Sequence, residues 1–305
     1  MKTKTPRGTI VLATDFSVPA RRAFVYAVKL SELLHMRLVL LHTIKAFPAP
    51  DTWSRSVPRS QHQLRTKALL ELGRMARVAQ EHGAAATHRL DIGIPEDSIL
   101  NAVEDNEAAL LVMGTHGRTG WDRLQLGSSA EAMIRKAPCP VLTVHGTAVA
   151  DGPMNPRRLK LKRFLVATDF SAASAAALRC AALLVRRFNA DVVLVHAFDS
   201  AKVPRHGRKR AGASSRQKTD RRLQETVAAA QAGRYVVERT ATSGNPVEVI
   251  LAEAKRVTAD LIVMGTNGRR GMSRVALGSV AESVVRRGGC PVLAVKAGMK
   301  PRFDK

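Results

Sequence analysis

The chain is written twice. The segment "IVLATDFSVPARRAF" from Ile10 returns as "FLVATDFSAASAAAL" from Phe164, and "LVLLHT" from Leu38 returns as "VVLVHA" from Val192. Further along, "GIPEDSIL" from Gly93 is answered by "GNPVEVIL" from Gly244, and "CPVLTV" from Cys139 by "CPVLAV" from Cys290. Order and approximate spacing are kept throughout, so a whole domain is duplicated and both copies must find the same fold. The 305 residues then divide into two domains of ordinary size. We place the first at 1–147 and the second at 161–305, with a linker at 148–160. The joining stretch "HGTAVADGPMNPRRLKLK" is rich in Gly, Pro and charge and lacks helical periodicity.

Within each copy, short β-branched runs alternate with helical segments. In the first, strands are expected near 9–14, 37–43 and 85–91, in "AALLVMG" and in "PVLTV". Helices are expected near 19–35, through a long basic segment ending near 82, from 95 to about 105, and over 127–136. This alternation predicts an α/β class: two tandem five-stranded parallel sheets, each doubly wound with helices on both faces. Ligands of such sheets sit beyond the carboxyl ends of the strands, at the topological switch point.

Apolar residues make up 45% of the chain, enough for real cores, while no run reaches the length of a membrane span. The basic N-terminus runs into a β-like stretch instead of a signal-peptide core, so cytoplasmic residence is expected. Cys139, Cys180 and Cys290 form no CxxC pair, which argues against a disulfide framework or a zinc knuckle. The formal charge of +24 admits nucleic acid, an anionic surface or a small polyanion as partner and chooses none of them.

The segment "MGTHGRTGWDRLQLGSS" from Met113 is repeated as "MGTNGRRGMSRVALGSV" from Met264. It follows a buried strand and leads into a helix, so it lies on the ligand edge of the sheet. Gly114 and Gly117, like Gly265 and Gly268, bracket the strand exit, where glycine permits positive φ and close backbone approach to a ligand. Gly127 and Ser128, with Gly278 and Ser279, open the next helix, whose first amides lack intrahelical partners. Such a terminus binds anions through its N–H groups and dipole without a lysine. Ser128 brings a hydroxyl and Ser129 a second; Val280 stands at the corresponding place in the other copy. A plain strand–helix loop with a serine cap would use the same residue types. The same spacing, present twice on the correct edge, favours a phosphate cradle.

These motifs resemble the universal stress protein family, specifically its tandem members of the ATP-binding type. The resemblance rests on the repeated glycine–serine spacing, the opening "ATDFS" and the closing "PVL" strand, and it spans nearly the whole chain. It implies an adenine nucleotide alpha hydrolase-like domain holding ATP, with or without Mg2+, between the first and fourth strands. It further implies that Asp15 and Asp169 meet the ribose or adenine end, that the backbone of Thr43 and Ala197 meets the adenine, and that Met113 and Met264 line the base pocket. The phosphates would fall to Gly114, Gly117, Gly127, Ser128 and Ser129, and to Gly265, Gly268, Gly278, Ser279 and Val280. Ala13 and Ala167 stand where the ATP-binding type often has proline. Pairing through the last strands is also implied, within the chain or in a homodimer. For Asp15 and Asp169, helix capping is the competing role. His42 and His196, at matching strand ends, read as structural.

No GxxxxGK[ST], GxSxG or HExxH pattern occurs, and Asp122 of the first loop is replaced by Ser273 in the second. No catalytic residue and no metal ligand is therefore assigned. Nucleotide-dependent sensing or signalling is the leading expectation, with slow ATP hydrolysis or autophosphorylation as its enzymatic rival. Arg118 and Arg269 could approach phosphates or lie solvated. A third class is a basic interaction protein: "AKVPRHGRKRAGASSRQKTDRRL" from Ala201 is dense in Lys and Arg, which can bind phosphate backbones. The scarcity of aromatics, 4% of residues, speaks against base stacking and nucleic acid.

Overall fold

The computed structural model of the protein describes residues 8–45, 57–115, 126–145, 155–198, 208–230, 235–268, 277–300 and 302–303. The first half runs β1 (Thr9–Ala13), α1 (Val18–Leu34), β2 (Arg37–Lys45), α2 (Val57–Glu81), β3 (Ala85–Gly93), α3 (Pro95–Asp105), β4 (Leu110–Gly114), α4 (Ser128–Lys136) and β5 (Val141–Val144). The second repeats the order: β6 (Arg163–Ala167), α5 (Ala172–Phe188), β7 (Asp191–Phe198), α6 (Arg208–Ala229), β8 (Val236–Ser243), α7 (Pro246–Arg256), β9 (Leu261–Gly265), α8 (Ser279–Arg287) and β10 (Val292–Val295).

Strands β1 and β4 are apolar almost without alternation because both of their faces are covered. Ile10 and Leu12 pack with α1 and α2, while Val11 and Ala13 pack with α3 and α4. The second half is layered in the same way: α5 and α6 share the face of α1 and α2, and α7 and α8 share the face of α3 and α4. Within each half all strand pairs are parallel, in the order β3-β2-β1-β4-β5 and β8-β7-β6-β9-β10. The connections from β1 and from β3 therefore leave on opposite faces, and the switch point lies between the carboxyl ends of β1 and β4.

The two sheets are one. β5 and β10 pair antiparallel, with Leu142 opposite Leu293, to give ten continuous strands. Thr143 Oγ1 donates across this seam to the Val292 carbonyl at 3.2 Å. Beyond the seam each half reaches the last helix of the other. His145 Nε2 donates to the Val285 carbonyl, and Lys296 Nζ donates to the Arg135 carbonyl at 3.0 Å. A cationic or donor group at a helix C-terminus meets exposed carbonyls and the negative end of the dipole. The described end of the expected linker also packs: Pro156, in a 3-10 turn, and Leu161 are buried. Phe303 near the C-terminus is 1% exposed in the same core, and Arg302 forms an ion pair with Glu107 of the first half. Nothing in the hydropathy pattern marked that return of the tail.

Candidate functional site

At the switch point each half builds the same turn. The chain leaves β1 through Thr14-Asp15-Phe16-Ser17 and β6 through Thr168-Asp169-Phe170-Ser171. Thr14 Oγ1 accepts the Phe16 amide and Thr168 Oγ1 accepts the Phe170 amide, both at 3.1 Å. Asp15 Oδ1 accepts the Ser17 amide at 3.1 Å, and Asp169 Oδ1 the Ser171 amide at 3.0 Å. Ser17 and Ser171, not the aspartates, are the N-caps: their hydroxyls accept from Ala20 and Ser174 in the first turns of α1 and α5. The capping role weighed for Asp15 and Asp169 is thus one step removed, since each holds the residue that caps.

Phe16 and Phe170 have φ of 65° and 63°, a left-handed conformation that costs a non-glycine residue about 1–2 kcal/mol. Their rings lie 4.4 and 4.5 Å from those of His42 and His196. Each histidine donates from Nδ1 to the carbonyl of Thr14 or Thr168 at 2.7 Å, which fixes the ring against the turn. The sequence reading of both histidines as structural agrees with these bonds. Strain held twice by matching partners is a feature of sites where the backbone is positioned for a task.

Thr43 and Ala197 are expected at the very end of the second strand of each half. They lie inside it, because β2 continues to Lys45 and β7 to Phe198, paired with β3 and β8. The Thr14 amide bonds the Leu41 carbonyl and the Thr168 amide the Val195 carbonyl. By strand alternation Thr43 and Ala197 therefore turn their N–H and C=O to the side that β1 and β6 have vacated. Met113 and Met264, 5% and 4% exposed, lie with Ala13 and Ala167 on the α3/α4 and α7/α8 face of the sheet.

Gly114 and Gly265 end β4 and β9 without positive φ. Their need for glycine comes from packing: a Cβ would lie 2.9 Å from the Ala20 nitrogen in one half and 2.8 Å from Ser174 N in the other. The close approach expected toward a ligand is made toward α1 and α5. At Gly268 an added Cβ would come 2.8 Å from Asp169 Oδ2, so the second loop returns against that aspartate. Gly117, Arg118, Asp122, Arg269 and Ser273 lie outside the described residues.

The amide of Gly127 donates to the Thr115 carbonyl, and that of Gly278 to the Thr266 carbonyl, both at 2.8 Å. Each bond pins the start of α4 or α8 to the end of the central strand. Both glycines are extended N-caps with no side chain, so they supply no cap to the amides of the first helical turn. Ser128 and Ser279 are the first helical residues. The side-chain hydroxyl of Thr266 is buried and makes no hydrogen bond among the described residues. Around α4, however, stands a residue the sequence reading passed over. Glu96, at the start of α3, accepts from Ser129 Oγ at 2.7 Å and from Ser128 Oγ at 3.5 Å. Burial opposes its charge, but the Ser129 hydroxyl, a backbone bond, Lys45 and Ser128 together hold the carboxyl below its usual range. Comparing the two copies at this position, Glu96 against Val247, was the signal that could have found it.

A model of the universal stress protein family matches residues 6–145 and again residues 160–296. The chain belongs to that family. Two tandem relatives are universal stress proteins of Mycobacterium tuberculosis. Rv2005c is 26% identical over 298 residues, covering 94% of this chain and 96% of that protein. Rv2623 is 26% identical over 303 residues, covering 95% and 97%. Among solved structures, a universal stress protein from Archaeoglobus fulgidus superposes with a TM-score of 0.71 at 23% identity, over 95% of this chain and 98% of that one. The family membership fits the duplicated α/β sheet and its seam. Among the described residues no helix is long and apolar enough to cross a membrane, and no group of three His, Cys, Asp or Glu side chains could hold a metal ion.

Proposed function

We propose that this universal stress protein binds an adenine nucleotide at the carboxyl ends of its central strands and acts as a nucleotide-dependent sensor in the stress response. The observation that carries the reading is a glycine-led helix start, without a side-chain cap, tied by one hydrogen bond to the central strand and built twice. Such a terminus offers converging N–H groups and a positive dipole end to a polyphosphate. Residues of the first helical turn would hold phosphate: Ser128 and Ser129 in one half, Ser279 and Val280 in the other. The backbone of Thr43 and Ala197 would face the base, over Met113 and Met264, and Asp15 and Asp169 would lie toward the sugar. Two or three hydrogen bonds to a charged phosphate contribute about 1.5–3 kcal/mol each. Micromolar affinity needs about 8 kcal/mol, so these bonds with burial of the base reach it.

Any Mg2+ would enter as the counter-ion of the nucleotide phosphates. In this reading nucleotide occupancy changes what the surface binds, the protein is cytoplasmic, and each matched domain carries one such cradle. The test is to denature protein purified without added nucleotide, identify what is released, and titrate the stripped protein with ATP. An adenine nucleotide in the supernatant or micromolar binding supports the reading. Folded protein that releases no adenine nucleotide and does not bind ATP refutes it.

A further inference from the structure

The two cradles are built on one backbone plan, yet the residues around them differ in charge. Helices α3 and α7 both begin with proline, Pro95 and Pro246, so Glu96 corresponds to Val247. Helices α4 and α8 begin with Ser128 and Ser279, so Ser129 corresponds to Val280. In the first half the carboxylate of Glu96 lies on the hydroxyls of Ser129 and Ser128, at the positive end of α4. An anion of the chain itself thus stands where an incoming phosphate would sit. In the second half both members of the pair are changed together. Val247 and Val280 pack against the apolar cluster on that face and bring neither charge nor hydroxyl.

A second difference lies across the crevice. Leu72 of α2 and Leu223 of α6 are both 0% exposed, and Ala76 and Val227 are buried one turn later, which aligns the two helices. Glu71 therefore corresponds to Arg222. Glu71 pairs with Arg21 at 3.1 Å, and Arg21 Nε donates to the Phe16 carbonyl in the turn after β1. In the second half Ala175 replaces Arg21, and the Arg222 guanidinium lies 4.4 Å above the ring of Phe170. At both positions an acid of the first half gives way to a neutral or cationic residue, and the second rim is the more positive even without a counterpart to Arg21.

We infer that Glu96 is an internal competitor that occupies the first cradle, so that the second half, with Val247 and Val280 in its place, is the single high-affinity polyphosphate site of the chain. The inference rests on the nucleotide reading above and names which of its two sites operates. For a polyanion, a carboxylate on the phosphate-binding hydroxyls means repulsion at contact distance and lost donors. The first site is therefore weaker by about tenfold or more.

The experiment is calorimetric titration of the nucleotide-free full chain with ATP, with circular dichroism to verify folding. Wild type binds one ATP tightly, and Gly278→Val removes that site. Glu96→Val with Ser129→Val, which gives the first half the residues of the second, raises the stoichiometry to two. Val247→Glu with Val280→Ser, the converse graft, weakens the tight site by about tenfold or more. Should the first graft unfold, Glu96→Gln keeps the shape, removes the charge and carries the same expectation. Two equal sites in wild type overturn the inference, as does a first site that stays weak in folded protein once Glu96 is neutral. No binding by wild type or any folded variant overturns the nucleotide reading, and the inference falls with it.

Discussion

The two halves agree where the turns at the crevice position backbone and differ at two charged positions around it. The phenylalanine φ angles of the Thr-Asp-Phe-Ser turns, 65° and 63°, the histidine bonds of 2.7 Å and the glycine amide bonds of 2.8 Å are repeated in the two halves. Glu96 and Glu71 become Val247 and Arg222 with no change in that frame. Duplicated hardware is thus no proof of duplicated function. A helix terminus binds an anion only if no nearby carboxylate has reached it first. The comparison can be broken at the seam that makes the halves one sheet, at the glycines, in the turns, and at the cysteines that differ in exposure.

The seam should give the largest effect. Leu142 and Leu293 face one another in the β5–β10 pair and are 3% and 1% exposed. Leu293→Ala, which leaves a cavity between the seam and the helices α1 and α5 that cover it, is expected to cost about 2–5 kcal/mol, and Leu142→Ala the same. Urea denaturation checks this. A single transition shifted to lower denaturant in both variants means the halves unfold as one unit. Two separated transitions would show that each half is stable alone and the seam is a mere contact.

Next comes Gly278→Val. The added Cβ would sit 2.9 Å from the Thr266 carbonyl that anchors the helix start, so the α8 terminus must shift. The affinity of the second-half site for ATP is expected to fall about a hundredfold or more, roughly the loss of two charge-assisted hydrogen bonds, leaving the weaker first site as the binding that is seen, while the far-ultraviolet dichroism is kept. Combined with Gly127→Val, binding should be abolished. Unchanged affinity in the double variant would leave the cradle without support.

How much of this was legible follows from which signals are local. Strand identity and the helix starts near Ser128 and Ser279 came from apolar runs and turn residues that act on their immediate neighbours, whereas the strand order β3-β2-β1-β4-β5 is set by long-range pairing that no local run announces. The ends of β2 and β7 were placed short at Thr43 and Ala197, because pairing with β3 and β8 extends them through polar residues that carry no strand signal. Gly114 was read for freedom near a ligand when its constraint is Pro19 and Ala20, remote in sequence and close only in the fold. Glu96 gave no local signal for the same reason: it lies 32 residues before the hydroxyl of Ser128 that it approaches, only topology brings α3 to α4, and in sequence only its contrast with Val247 points to it.

The turns offer a smaller test of parity. His42→Ala and His196→Ala each lose one hydrogen bond to a backbone carbonyl and a ring contact of 4.4 or 4.5 Å. Each should cost about 1–2 kcal/mol, and the two should agree within about 0.5 kcal/mol because the frames are the same. A markedly larger cost for His196→Ala would mean that Arg222, stacked on Phe170, depends on that histidine in a way the first half does not share.

The smallest effect concerns Cys139 and Cys290, which occupy matching positions before β5 and β10 but differ in burial, the first buried and the second partly exposed. Burial pushes both thiols up to about 12, as it does Cys180. The raised value means that the folded state holds the proton, so at pH 8 only about one thiol in ten thousand is the reactive thiolate. Labelling by a disulfide reagent should therefore be slow in folded protein and prompt in urea, with Cys290 modified before Cys139. The sign also sets the alkaline limit. Stability from these protonated thiols is complete below the ordinary thiol range near pH 9 and is lost as pH climbs toward 12, since the unfolded chain releases its thiol protons first. Fast labelling of all three thiols in the folded protein at pH 8 would show that the core around the closing strands opens far more readily than its packing implies.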